Sequence, residues 1–554
     1  MKRYIKTLLA FPLAGMVVGG LSVSCTDSWD DHYGTDAQSG GTETLLQCIQ
    51  NNPQLSDFLK VCQVTHLYNN MHATPVTYAD LLNADQSLTV WAPVNGTFNV
   101  DSMLSLCQTA QGDSSVAQHF VANHISRNLY NMNATTSESV RMLNNKFLAL
   151  TPSQLNNSKV MEGSYNIPAS NGLLHVVGDD APYNYNLYEA LTSLSQYAHV
   201  GRLLKRMEKQ ELDEERSIQS GLVDGRKVYS DSVMIIRNDL FSAFDRIADE
   251  DSTFMMLMPD ANVWNTAYNE ASALFNYGSI EKADSIGETW KTVSLMKDLF
   301  FNRSKTVNKS PQDSLISNYY SGIDWPYSVY YRPYDAGGLF DRAQIKDSLK
   351  CSNGVIYNIA NWPYVIDSLY FRPLKTEGEI EAYVTDKKDC SFNLRQTMNP
   401  GVSLGYYMDI VPAKSTSDWT VTYEVRNTLS GTYDICIVTL PKTVYMPNSK
   451  DTKPNKFKAQ LTYTDVDGVK KTVNYDDELE NSGTKIDTTV IGRFNFPVCN
   501  YAQPETTVTL QIKCSIKKTQ TKYSREMYLD CIYLKPVTEA EEAAATRARK
   551  EGDK

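Results

Sequence analysis

The chain has 554 residues, enough for about three domains at roughly 150–200 residues each. Its 42% hydrophobic and 21% charged residues are ordinary for a globular protein. A net charge of −11 without clustered Lys and Arg excludes a nucleic-acid partner, because phosphate binding needs a basic surface.

Lys2, Arg3 and Lys6 open the chain, and residues 8–23 form an apolar run too short and Gly-interrupted to be a permanent span. The run ends in LSVSC, with Ser24 before Cys25. This resembles a bacterial lipoprotein signal, although Leu21 stands one place further from the cysteine than usual. The resemblance implies a signal peptide over 1–24 and lipidation at Cys25; an ordinary signal peptide that happens to contain a cysteine is the other reading. Lipid chains would then hold the protein to the outer membrane. Residues 25–43 carry Asp27, Asp30, Asp31, Asp36 and Glu43 and no Lys or Arg, as a flexible acidic tether does. Acidic residues behind such a cysteine are similar to the surface-export signal of lipoproteins in one group of Gram-negative bacteria. That implies placement facing the cell exterior.

From Thr44, Leu45, Ile49, Leu55, Phe58, Leu59 and Cys62 fall at helical spacing, interrupted by Pro53. LTVWAPVNGTFN (88–99) follows as a buried strand, a Pro-marked turn and a helix start, with Phe98 expected on the helix's inward side. AQHFVANHI (117–125) reads as a further helix. SNGLLHVV (170–177) reads as an Asn-Gly turn into a strand. The same order recurs. NLYEALTSLSQYAHVGRLLKRM (186–207) repeats the opening helices, STFMMLMPDANVWNTAY (252–268) the strand–Pro–helix unit, MKDLFFNRS (296–304) the helix, and CSNGVIYNIA (351–360) the closing turn and strand. These paired segments resemble the signature segments of the fasciclin domain, an adhesion and ligand-binding module. The resemblance implies an α+β fold used twice, at 44–185 and 186–374. The Tyr-His motif tied to receptor adhesion in that family is replaced by Asn123-His124 and Phe301-Asn302, so that role is not implied.

The second copy carries a polar insertion over 210–239, expected to form a hairpin at Asp224-Gly225. A second insertion, 317–338, is the densest aromatic patch of the chain. Trp325, Tyr327, Tyr330 and Tyr331 are its candidate ligand-binding residues, since a Pro- and Gly-punctuated loop can present rings to a sugar. An insertion packing its own aromatics inward is the competing reading.

Beyond Glu377 the period becomes two. Trp419, Val421, Tyr423 and Val425 alternate with polar residues, as do Phe457, Ala459, Leu461 and Tyr463, and Val508, Leu510, Ile512, Cys514 and Ile516. MYLDCIYLKP (527–536) is apolar on both faces, as for a central strand. An antiparallel, jelly-roll-like β-sandwich over 377–537 follows, then a charged tail over 538–554. The SGTYDICIV and MYLDCIYLKP strands resemble galactose-binding-like carbohydrate modules at the level of fold.

Chemistry is sparse. There is no HExxH, GxSxG, Walker or dinucleotide motif. Nine widely spaced cysteines after Cys25, with no Cys-x-x-Cys pair, form neither a disulfide framework nor a zinc site. His119 and His124 lie five apart, off a common helical face, and His175 reads as structural. Asp465-Val466-Asp467-Gly468 fits a hairpin turn better than a calcium loop. No catalytic, metal or cofactor residues are assigned. The expected role is non-catalytic: a surface lipoprotein capturing glycan or peptide beside a TonB-dependent transporter, which such fasciclin-like lipoproteins resemble. A cell or host adhesin, and a glycan hydrolase with unmarked carboxylates, are the alternatives.

Overall fold

The computed structural model describes residues 40–69, 72–133, 136–212, 214, 217–223, 226–231, 234–238, 240–241, 246–302, 315–316, 330–331, 336–538 and 541. Cys25, the signal segment, most of the tether, Trp325, Tyr327 and nearly all of the tail lie outside them. The chain divides into two compact units between Tyr183 and Asn184.

The frame of the first unit is a four-stranded sheet. Its strands are β1 (Leu88–Pro93), β2 (Ile125–Ser126), β3 (Ile167–Ala169) and β4 (Gly172–Val177), in the order β2-β1-β4-β3. β1 and β4 run parallel and every residue of both is buried, which explains their largely apolar sequences, with Thr89 and His175 the buried polar residues. The helices Leu45–Gln50, Ser56–Val64 and Tyr78–Asn83 contribute Leu45, Ile49, Phe58, Val61 and Leu82 to the core beneath. A second small sheet, built from residues 138–159, closes a separate core around Trp91, Leu150 and Val177.

The second unit repeats the frame with β5 (Phe254–Pro259), β6 (Phe300–Asn302), β7 (Ile345–Cys351) and β8 (Gly354–Ile359), ordered β6-β5-β8-β7. The parallel registers correspond residue for residue. Gly172 faces Leu88 and Val177 faces Pro93; Gly354 faces Phe254 and Ile359 faces Pro259. The Asn-Gly turns explain the match. Asn171 Oδ1 accepts from Leu45 N at 2.8 Å while its Nδ2 donates to the carbonyls of Leu82 and Ala84. Asn353 Oδ1 accepts from Leu187 N at 2.9 Å while its Nδ2 donates to those of Ile247 and Asp249. One buried amide thus ties the first helix, the chain before the central strand and the closing strand together, in each copy. Glycine must follow it. A Cβ on Gly172 would lie 2.0 Å from Leu88 O, and one on Gly354 2.1 Å from Phe254 O, both at a positive φ.

Two helical expectations fail. Over 117–125 the α-helix (Ala110–His119) ends early, a single 3₁₀ turn (Val121–His124) follows, and β2 begins at Ile125. Over 296–302, the described part of the second expected helix, the helix Ala283–Met296 has finished and β6 pairs with β5. In both places edge pairing to a buried strand outweighs local propensity. Phe98 also sits before the helix Val100–Leu106 rather than on it, packing its ring 4.7 Å from Phe120. In the polar insertion, Ile218–Val223 pairs with Arg226–Asp231 across positions 224–225, and Glu208–Leu212 pairs with Met234–Asn238.

The rest of the second unit is an antiparallel β-sandwich. One sheet orders β11 (Cys390–Gln396), β12 (Tyr406–Pro412), β19 (Met527–Pro536), β14 (Gly431–Leu440) and β17 (Asp487–Phe496), with β9 (Leu374–Glu377) also paired to β19. The other orders β10 (Val384–Lys388), β13 (Thr420–Glu424), β18 (Thr509–Cys514), β15 (Lys456–Thr464) and β16 (Lys470–Glu480). Trp419, Val421, Tyr423, Phe457, Leu461, Leu510 and Ile512 are buried between them, on the alternate positions that the period-two pattern marks. MYLDCIYLKP is the central β19, paired to three neighbours.

Candidate functional site

Residues 273–278 join the sandwich to the second α+β frame. Ser430 donates to Leu274 O from its N and to Ala273 O from its Oγ; Cys499 N donates to Asn276 O, and Tyr277 Oη to Tyr501 O at 2.9 Å. Phe275 and Trp290 pack edge-on to the Tyr501 ring. The loop is therefore fixed from behind, and its outer side is the floor of an open cleft of about 560 Å³.

Two helices wall that cleft. Ala261–Ser272 supplies Tyr268 and Ser272, and starts cleanly because Asp260 Oδ1 accepts from the backbone N of Asn262 and Val263. Ala283–Met296 supplies Asp284, Gly287, Glu288 and Lys291. Gly287 lets this helix touch the floor: a Cβ there would lie 2.7 Å from Phe275 O. Tyr268 Oη donates to Glu288 Oε1 at 3.1 Å, and Glu288 is also paired with Arg206. Burial and the neighbouring Glu288 push the Tyr268 hydroxyl up to about 12, so it stays a donor. Lys291 Nζ lies 3.8 Å above the Tyr268 ring and donates to Ser272 Oγ at 2.9 Å. Burial holds its pKa below the usual lysine value. Asp284 and Glu288 stand one turn apart on the same wall.

A second polar cluster lies in the sandwich. Ser403 N donates to Asp530 Oδ1 at 3.0 Å, and Ser403 Oγ to Glu377 Oε1 at 2.7 Å. Glu379 is close enough to feel both charges, and Lys375 Nζ reaches Ser403 Oγ at 3.2 Å. Burial, with the Glu377 charge and against the Ser403 backbone hydrogen bond, raises Asp530 to about 7; burial and the adjacent Glu377 and Asp530 do the same for Glu379. Oε2 of Glu377 and of Glu379 is buried without a hydrogen-bond partner. These oxygens are the donor type a hard cation takes. Among the described residues, though, no three His, Cys, Asp or Glu side chains are grouped to hold a metal ion; burial favours the protonated forms of Asp530 and Glu379.

The outer face of the five-stranded sheet is polar. Thr422, Gln511, Gln460 and Asn474 form one row across β13, β18, β15 and β16. Gln511 bonds Thr422, and Gln460 bonds Asn474 at 2.7 Å, so these amides satisfy one another.

Of the residues singled out by sequence, Tyr330–Tyr331 form a two-residue strand paired with Leu315–Ile316; Trp325, Tyr327 and Cys25 are outside the described residues. His124 and His175 are structural. His124 bonds Phe120 O through Nδ1 and accepts from Ala181 N through Nε2, and burial lowers its pKa to about 4. His175 accepts from Asn166 N, reaches Tyr130 O, stacks on Trp91, and is lowered to about 4 for the same reason. Among the described residues no cysteine forms a disulfide. Asp465 Oδ1 accepts from Asp467 N and Val469 N, making the expected hairpin turn. The cleft residues Tyr268, Glu288 and Lys291 carried no sequence signal, because two helices and a loop supply them and no motif spans all three.

No family model matches the sequence, and no curated protein matches it. Among solved structures, a family 35 carbohydrate binding module from Clostridium thermocellum is 11% identical, with a TM-score of 0.18, over 30% of this chain and 99% of that one. The CBM35 module of Cellvibrio japonicus Abf62 is 14% identical, with a TM-score of 0.19, over 30% and 95%. The CBM22-1–GH10 modules of the Clostridium thermocellum xylanase Xyn10B, complexed with xylohexaose, are 11% identical, with a TM-score of 0.19, over 30% of this chain; the chain spans only 26% of that structure.

Proposed function

We propose that this protein is a non-catalytic glycan-binding component of a cell surface. In this reading Cys25 is lipidated, the acidic tether holds the rest away from an outer membrane, and two fasciclin-like frames and a sandwich present the binding surface beside a TonB-dependent transporter. The observation that carries the binding role is the open cleft over residues 273–278. It has a fixed floor, an aromatic ring in one wall, and polar groups already engaged with one another. Its size falls within the range of ligand sites, about 300–1,000 Å³. Its carboxylates share one wall, which favours holding a sugar over cleaving one.

Retention of the soluble chain from Thr26 onward on immobilised glycans tests this reading. At least one glycan is expected to retain the chain, and a Trp325→Ala/Tyr330→Ala variant separates the aromatic insertion from the cleft as its site. Failure to retain the chain on any glycan of a broad array would remove the proposal.

A further inference from the structure

Resting on the glycan-binding reading, we infer that the Tyr268–Lys291 cleft selects a carboxylate-bearing sugar, a uronic acid unit of an acidic polysaccharide, with the sugar carboxylate on Lys291 Nζ. An ammonium has three donors. In Lys291 one goes to Ser272 Oγ and the Tyr268 ring lies beneath the charge, so a third remains for a ligand. Glu288 acts on Lys291 through its charge, without being its hydrogen-bond partner, which is Ser272 Oγ. It offsets part of the ammonium's charge, but it is itself held by Arg206 and Tyr268, so burial still leaves the ammonium a cost that a bound anion lowers.

The other charges of the cleft sort a ligand along its length. Glu288 is already bound by Arg206 and Tyr268, which blunts its repulsion and leaves lone pairs for sugar hydroxyls. Asp284 is seven residues from Lys291 on one helix, roughly 10 Å at 1.5 Å per residue, about a Debye length. One end thus takes an anion and the other takes hydroxyl donors, the pattern of a uronic acid. A single ammonium, with no guanidinium fork beside it, suits a monocarboxylate better than a phosphate or sulfate. Because Lys291 covers one face of the Tyr268 ring, selection here is by charge rather than by stacking.

The test is calorimetry of the soluble chain from Thr26 with oligogalacturonide and oligoglucuronide, each against its methyl ester, which keeps the shape and removes the charge. At least one acid is expected to bind tenfold or more tighter than its ester, with the difference shrinking in high salt. Lys291→Met, which keeps the stem over the ring, should abolish that difference at an unchanged melting temperature; Lys291→Arg should restore part of it. Equal binding of acid and ester, a difference that survives Lys291→Met, or tighter binding of a peptide carboxylate would overturn the inference while leaving glycan binding intact if the esters bind. No binding of any acidic or neutral sugar would overturn both.

Discussion

The two α+β frames share a skeleton and differ in what is attached to it. Asn171-Gly172 and Asn353-Gly354 make the same three hydrogen bonds and the same close approach to a neighbouring carbonyl. Beyond that the copies diverge. His175 lies opposite Trp91 and stacks on it under the small second sheet, whereas Tyr357 lies opposite Leu257 and packs against Phe340. The first copy closes over its central strands with a core of its own. The second continues its core into the sandwich and keeps an open cleft at that junction. The lesson is that the lock residues specify the frame, while the covering elements decide whether a site exists.

The largest effect should come from the glycines. Gly172→Ala and Gly354→Ala each drive a methyl into a backbone carbonyl at a positive φ, so each should cost about 3 kcal/mol. Denaturant melts followed by hydrogen exchange should place the loss in the first unit for Gly172 and in the second for Gly354. Tolerance of either alanine would mean the two locks are not equivalent. Next come Asn171→Ala and Asn353→Ala, each leaving one donor and two acceptors without their partner, at a cost of about 2 kcal/mol. Unequal losses measured by the same melts would show that one copy has found other support.

A smaller effect separates the units by pH. In the first, His124 and His175 are lowered from 6.5 to about 4. Their contribution is complete above pH 6.5 and is lost as the pH falls toward 4, because the unfolded chain then binds more protons. In the sandwich, Asp530 and Glu379 are raised from 3.8 and 4.5 to about 7. Their contribution is complete below those ordinary values and is lost as the pH rises through 7. Acidification from pH 7 to 5 should therefore lower the melting transition of the first unit and raise that of the sandwich. Asp530→Asn should flatten only the second trend. Parallel trends in the two transitions would contradict the assignment.

Much of this frame is readable in the chain. Largely apolar six-residue runs such as 88–93 and 254–259, and an Asn-Gly at the start of each closing strand, recur because a parallel pair buried on both faces needs mostly apolar side chains. The alternation of Trp419, Val421 and Tyr423 marks a half-buried strand by geometry alone. Other features stay hidden. Ile125–Ser126 and Phe300–Asn302 look helical because their strand character comes from pairing with β1 and β5, not from local preference. Glu377 and Asp530 are far apart in sequence, and nothing in either segment indicates that Ser403 bridges them.

The sequence by itself determined the repeated frame, the sandwich and the structural role of His175, since these follow from periodicity and from residue types that tolerate few alternatives. Tertiary structure alone decided where a ligand could sit. A cleft is made of distances between side chains from separate elements, and Lys291 becomes a fixed cation over Tyr268 only when two helices meet on a loop held by the sandwich.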